Sequence, residues 1–293
     1  MKHDKSIGNH IANILIYTFL GLFALSIIFP FYNMLLISFA TFEDAASRSF
    51  SMVPASFTLD NYRRIFADAQ VLSSIWVSVR NVVVGTSLAM FMTILTSYAL
   101  SRKNVPGRRL MFYLVIFTMY FNAGLIPWYM VLLNIGFVNS FWVMTVPSAL
   151  SVFNMILMRN YFLSLPDSLE ESARLDGAGE FVIMFRIIVP LSLPIMATVA
   201  LFYSVGFWNE WWHAMLFIHD GSMTPLALLL RRLVIENSID FGDVMAHAHT
   251  PVMVHNRALQ LATVTVATVP ILCVYPFLQK YFTKGIMLGA IKA

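Results

Sequence analysis

The chain has 293 residues, of which 59% are hydrophobic and only 12% charged, with a mean hydropathy of +0.74. A soluble domain is about 45–50% apolar and about 25% charged, so a water-soluble fold of this length could not hide so much apolar surface, whereas a bilayer solvates it. The net charge of +4 comes without a basic run interleaved with aromatic residues, which argues against a nucleic-acid partner, and the single cysteine, Cys273, excludes an intrachain disulfide.

Lys2 and Lys5 precede a tract free of Asp, Glu, Lys and Arg that runs to Glu43. A spanning helix needs about 20 residues, which places the first span over 11–38, with Pro30 as a kink. The apolar run continues past any signal-peptide cleavage site, so the segment reads as an uncleaved span. An outer loop over 40–73 leads to a second span at 74–100. Arg80 lies within that span, where charge is costly and usually functional. It either snorkels to the interface or faces a pathway.

The loop SRKNVPGRR at 101–109 is strongly basic. From Arg109 to Arg159 runs a charge-free tract too long for one helix, and the polar stretch NIGFVNS at 134–140 divides it into spans 110–133 and 141–158. Asn122 and Asn154 sit in these spans, where helix–helix hydrogen bonds and a polar pathway explain them equally well. A loop at 159–186 follows, then a fifth span at 187–207, an outer loop at 210–258 and a sixth span at 259–279.

Trp208, Asn209, Glu210, Trp211, Trp212 and His213 crowd the end of the fifth span. Tryptophans favour membrane interfaces. Alternatively Trp208 and Asn209 face the pathway, where flat rings stack on sugars and amides bond hydroxyls. Glu210 and His213 are three apart on one helical face, but no second such helix is present to complete a carboxylate metal site. His247, His249 and His255 lack a Cys or carboxylate to finish a metal set, so no metal is expected. With Arg231, Arg232 and Arg257 these histidines make either an ordinary solvated loop or one attractive to an anionic sugar.

The fold expected is therefore all-α and membrane-embedded, with six transmembrane helices in one domain. A barrel would show short alternating strands instead. With the N-terminus inside, the inner segments hold 12 basic residues and the outer ones 6, Arg80 apart. The basic-inside bias then puts both termini in the cytoplasm.

The 165–194 segment, LPDSLEESARLDGAGEFVIMFRIIVPLSLP, describes a short helix, a glycine turn and a helix entering the bilayer. Pro166 suits a first turn, and Asp167, Glu170 and Glu171 complement the helix dipole. Glu170 and Arg174 are spaced to pair, and Leu165, Leu169, Ala173 and Leu175 offer an apolar side. Gly177 and Gly179 stop the helix, and Pro190 and Pro194 bend or restart its successor. By physics alone such a helix either rests on lipid headgroups or carries a partner's motion into the membrane.

The spacing Glu171-Ser172-Ala173, three residues to Gly177, nine to Ile187, then Val189-Pro190 resembles the EAA loop of ABC-importer permeases. Ser172 stands where that pattern has Ala, and Val189 where it has Leu. EESARLDGAG, SYALSRKNVPGRR (97–109), ILMRNYFLSLPDSLEE (156–171), GFWNEWWHAMLFI (206–218) and QKYFTKGIMLGAIKA (279–293) are similar to the MalG-like permeases of carbohydrate uptake. FTMYFNAGLIPWYM (117–130) resembles the YtcP/LplC branch, which includes permeases for acidic polysaccharides such as alginate.

The resemblance implies the MetI/MalG-like permease fold in the bacterial inner membrane. It implies a second homologous permease subunit as partner, two ATPase subunits below and an extracytoplasmic solute-binding protein delivering an oligosaccharide. Glu170, Glu171, Ser172, Ala173, Asp176, Gly177 and Ala178 would then form the ATPase-coupling element, and Lys284, Gly285 and Gly289 a tail that reaches the ATPases. Arg80, Asn154, Trp208 and Asn209 are the pathway candidates. No catalytic residue is expected and no cofactor in this chain: it has no G-x-x-x-x-G-K-[ST] loop, so ATP and Mg belong to the partner. The absence of mid-membrane Asp or Glu argues against ion-coupled transport, and the lack of H-E-x-x-H and G-x-S-x-G argues against a membrane enzyme.

Overall fold

The computed structural model describes residues 7–47, 56–233 and 257–290, and every regular element among them is helical. The first tract forms one helix, α1 (Ile7–Ser38), with Pro30 inside it. Two short helices follow, α2 (Phe42–Ser47) and α3 (Asp60–Ala67). The second tract forms α4 (Ala69–Ser101), 33 residues and longer at its start than the 74–100 expected.

The third tract departs from expectation. It is two helices, α5 (Arg108–Tyr120) and α6 (Leu125–Asn134), meeting at 114° instead of one span over 110–133. The turn has local causes. The Asn122 side-chain oxygen accepts the Gly124 N–H at 2.9 Å, and Gly124 takes φ +88°, a conformation side chains rarely tolerate. The tract expected as span 141–158 also breaks. A 3₁₀ turn at Phe141–Met144 leads into irregular backbone, and only Val152–Ser164 is α-helical (α7). Ser140 and Ser151 cap these two pieces through their hydroxyls. α7 therefore occupies residues 159–164, expected as loop.

The 165–194 segment follows its expected outline. Helix α8 (Ser168–Leu175) is followed, past the glycines, by α9 (Glu180–Ile183), a π turn at Met184–Ile188 and α10 (Val189–Leu191). After an 85° bend at Ser192 comes α11 (Leu193–Trp208). Pro190 and Pro194 flank the bend, where their missing N–H groups weaken the helical ladder. α12 (Trp212–Phe217), a 3₁₀ turn at Gly221–Met223, helical residues 226–233 and a long final helix, α13 (Arg257–Ala290), complete the described chain. The outer-loop residues His247, His249 and His255 lie outside the described residues.

The chain divides into two compact units. In the first, the Asn61 side-chain amide donates to the carbonyls of Ser38 and Ala40 at 3.0 and 2.9 Å and so closes the end of α1. Ile37, Ala40, Ala45 and Ala258 pack beside it. The rest of α1 is different: every side chain from Ile11 to Tyr32 is exposed.

The second unit is organised by α4. Ser74, Ser78, Asn81, Gly85, Ala89, Thr93 and Ser97, three or four apart, are all buried on one face. Small and hydroxyl residues let membrane helices approach closely. Along this face the Asn81 amide donates to the Phe207 carbonyl at 2.9 Å, the Thr93 hydroxyl lies 2.7 Å from that of Tyr203, and the Ser97 hydroxyl donates to the Met155 carbonyl at 3.0 Å. The Tyr203 hydroxyl also accepts the Ser151 N–H at 2.9 Å, tying the start of α7 to α11.

Gly85 permits the closest approach, since a Cβ there would lie 2.8 Å from Phe207 ring carbons. Gly85→Val is expected to destabilise the unit by about 1–3 kcal/mol through overpacking, read as a lowered thermal midpoint of the detergent-purified protein. An unchanged midpoint would show that the α4–α11 contact is slack.

Candidate functional site: a charged clamp around α8 and a cavity beside α11

Helix α8 ends in a Schellman turn. The Ala178 N–H reaches the Ala173 carbonyl and the Gly177 N–H the Arg174 carbonyl, both at 3.0 Å. This closure requires the left-handed conformation at Gly177, whose φ is +79°. One face of α8 is inward: Ala173 is buried in a core cluster with Tyr98, Phe162, Ile183 and Met184. Leu175, expected on the apolar side, is not there. It is 89% exposed, because two positions past Ala173 the helix has turned about 200°. Glu171, Ser172, Asp176 and Gly177 share its exposure.

Glu170 is buried, and its partner is not chiefly Arg174. It forms an ion pair with Arg102, the residue after α4, and the two side chains are only 10% and 11% exposed. Arg174 is 3.8 Å from Glu170 and reaches Glu180 more closely, at 2.8 Å. The other Glu180 oxygen accepts the Tyr98 hydroxyl at 2.7 Å. The Arg102 guanidinium lies 4.5 Å from the Tyr98 ring centroid, and its Nε donates to the Ser101 hydroxyl at 3.0 Å. Burial lowers the pKa of Arg102, yet a guanidinium stays protonated in proteins, so its charge must be met in place by Glu170.

The outcome is a clamp of Tyr98, Arg102, Glu170, Arg174 and Glu180 that fastens α8 and the start of α9 to the end of α4. Sequence reasoning named Glu170 and missed Tyr98, Arg102 and Glu180. Arg102 is 68 positions away, and Arg174 offered a nearer partner.

An exposed companion pair joins Lys103 to Asp167 at 2.7 Å. The Lys103 hydrogen bond and charge hold the Asp167 carboxyl below its usual range. A carboxylate whose folded pKa is depressed contributes stability above its unfolded pKa and loses it only as pH falls through the folded value. The pair therefore stays intact at neutral and mildly acid pH.

A cavity of about 340 Å³ opens between α7 and α11, with Ser148, Ser151, Asn154 and Glu210 as its polar lining and Phe202 and Phe207 among its apolar walls. Of the pathway candidates, Asn154 lines it. Asn209 is exposed and turns its amide back onto the Val205 carbonyl at 3.0 Å, and Trp208 ends α11 half-buried. Neither is part of the lining. The next residue, Glu210, supplies the carboxylate instead. Its Oε2 is 2.9 Å from His213 Nδ1, and its Oε1 accepts the His213 N–H at 2.8 Å. Arg80 is exposed, with its guanidinium 4.0 Å from the Phe141 ring centroid. Lys284, Gly285 and Gly289 belong to the backbone of α13, and their surroundings lie outside the described residues.

The chain matches the family described as "Binding-protein-dependent transport system inner membrane component" over residues 3–288. It is 42% identical over 286 residues to the polygalacturonan/rhamnogalacturonan transport system permease protein YtcP of Bacillus subtilis, covering 97% of this chain and 99% of that protein. It is also 42% identical to the protein LplC of the same organism, covering 99% and 97%. Among solved structures it superposes with a TM-score of 0.86 and 27% identity on a chain of a bacterial ABC transporter involved in the import of the acidic polysaccharide alginate, covering 96% of this chain and 100% of that one.

Proposed function

We propose, on the premise that this chain belongs to the family of binding-protein-dependent transport system inner membrane components, that it is the permease subunit of an ATP-driven importer of acidic oligosaccharides. The observation that carries the substrate class is that relatives spanning nearly the whole chain are named for polygalacturonan and rhamnogalacturonan transport and for import of the acidic polysaccharide alginate. Uronate carboxylates are common to those polymers.

In this reading both termini and α8 face the cytoplasm, in keeping with the distribution of basic residues. A second permease pairs with this one, and two ATPase subunits carry ATP and Mg. A solute-binding protein loads the sugar from outside. The exposed surface of Glu171, Ser172, Leu175, Asp176 and Gly177 docks an ATPase, which suits a leucine 89% exposed at the end of α8. The cavity beside α11 is this chain's share of the pathway. Asn154, Ser148, Ser151 and Glu210 offer donors and acceptors for sugar hydroxyls, and Phe202 a flat apolar face. The chain contributes shape and leverage: ATPase closure moves α8, and the helices packed on it alternate access to the cavity.

The test is purification in mild detergent followed by uptake assays in proteoliposomes. A second permease and an ATPase should co-purify, and ATP should drive uptake of galacturonate or alginate oligosaccharides but not of neutral glucose oligomers of equal length. Leu175→Asp should abolish ATPase co-purification while the permease remains folded. ATP-driven uptake of the neutral oligomers alone would overturn the substrate class, and a variant that still binds ATPase would overturn the docking surface.

A further inference from the structure

Besides the short link of residues 165–167 back to α7 and the exposed Lys103–Asp167 pair, two connections lead away from α8. The covalent one passes through Gly177, α9, the π turn and α10 to the 85° bend at Ser192, and only then into α11. The Ser192 hydroxyl at that bend is buried without a hydrogen-bond partner. A π turn followed by a bend is a joint that can absorb displacement. The second connection is shorter. Glu170 meets Arg102 one residue beyond α4, and Arg174 passes through Glu180 to Tyr98 in the last turn of α4. No turn intervenes, and the Arg102–Glu170 pair is almost wholly out of solvent.

We propose that Arg102 is a positioning residue through which α8 drives α4, so that displacement of α8 by a docked ATPase reaches the membrane helices without first crossing the bend at Ser192. The proposal rests on the permease function proposed above. From α4 the contact chain continues to the cavity. Thr93 bonds Tyr203, the Asn81 amide bonds the Phe207 carbonyl, and Gly85 faces the Phe207 ring. Both Tyr203 and Phe207 line the cavity. A shift of α4 along or across α11 therefore changes the wall that a sugar would meet. The clamp also explains why α8 carries two adjacent glutamates with opposite fates, Glu171 exposed for a partner and Glu170 buried for this chain's own use.

The experiment uses the complete importer in proteoliposomes and measures ATP hydrolysis and oligosaccharide uptake together, for Arg102→Gln, Arg102→Lys and the exchange Arg102→Glu with Glu170→Arg. Arg102→Gln should assemble with the ATPases and hydrolyse ATP, with uptake per ATP reduced about 10-fold, a typical size for a lost coupling. Arg102→Lys, which keeps the charge, and the exchange, which keeps the pair, should each recover part of that ratio. A purely structural pair would lose assembly, hydrolysis and uptake in parallel. An unchanged uptake-to-ATP ratio in Arg102→Gln, or a parallel loss of assembly, hydrolysis and uptake whether or not the other variants repair it, overturns the proposal. If wild-type complex fails to import on ATP addition, it is the permease reading itself that fails, and the wild-type sample shows this separately.

Discussion

Gly177→Val is expected to abolish ATP-driven uptake while leaving the protein inserted and folded. The reason is confined to the backbone. A Cβ at Gly177 would have no heavy atom within 4 Å, so space is not the obstacle. The obstacle is φ +79°, where an L-residue is strained by about 1–2 kcal/mol and a β-branched one is a genuine outlier. The chain can relieve that strain only by opening the Schellman turn, which frees the Arg174 and Ala173 carbonyls and changes the angle between α8 and α9. Stability falls little, because the turn is exposed, but the surface that meets the ATPase is rebuilt. Gly177→Asn is the control, since asparagine tolerates the left-handed region, and it should retain most uptake. Equal activity of Gly177→Val and wild type in proteoliposomes would remove the turn from the mechanism.

Glu170 and Glu171 should separate cleanly. Glu170→Ala strands the Arg102 guanidinium, and breaking a buried pair by removing one partner costs about 3–5 kcal/mol. Thermal unfolding in detergent should therefore show a markedly lower midpoint. Glu171→Ala removes a side chain that is exposed, and surface changes of this kind stay within about 0.5 kcal/mol. Its loss should instead appear as weakened ATPase co-purification. Stability data that ranked the two variants the other way would show that the Arg102 charge is met elsewhere.

Much of this was legible in the residues, for identifiable reasons. A charge-free tract delimits α1, and one broken only by Arg80 delimits α4, because a charge inside a bilayer is costly. The α8 turn was legible because glycine at a helix end has a specific conformational meaning. The break between α5 and α6 was not, because apolar tracts carry no sign of direction: hydropathy is the same whether a helix runs straight or turns through 114°. The local signal was Asn122 two residues before Gly124, a side-chain acceptor within reach of a glycine N–H. The irregular stretch before α7 was hidden in the same way, with Pro147 and the capping residue Ser151 as its marks in the sequence. At the site, periodicity placed Glu170 on α8, but its partner Arg102 is set by tertiary contact that no local pattern records. Asn154 lines the cavity beside α11. Asn209 does not, because its amide finds a backbone carbonyl on its own helix.

Selection meets α1 and α4 on different terms. From Ile11 to Ile28 no side chain of α1 is buried within this chain, so within it a leucine, an isoleucine or a phenylalanine at any of these positions satisfies the same requirement. Within its own unit that stretch is constrained by its average composition and not position by position. On α4 the buried face from Ser74 to Ser97 is held position by position, since Gly85 admits no methyl beside the Phe207 ring and Asn81 must donate to the Phe207 carbonyl. Two helices of similar length thus constrain their residues very differently.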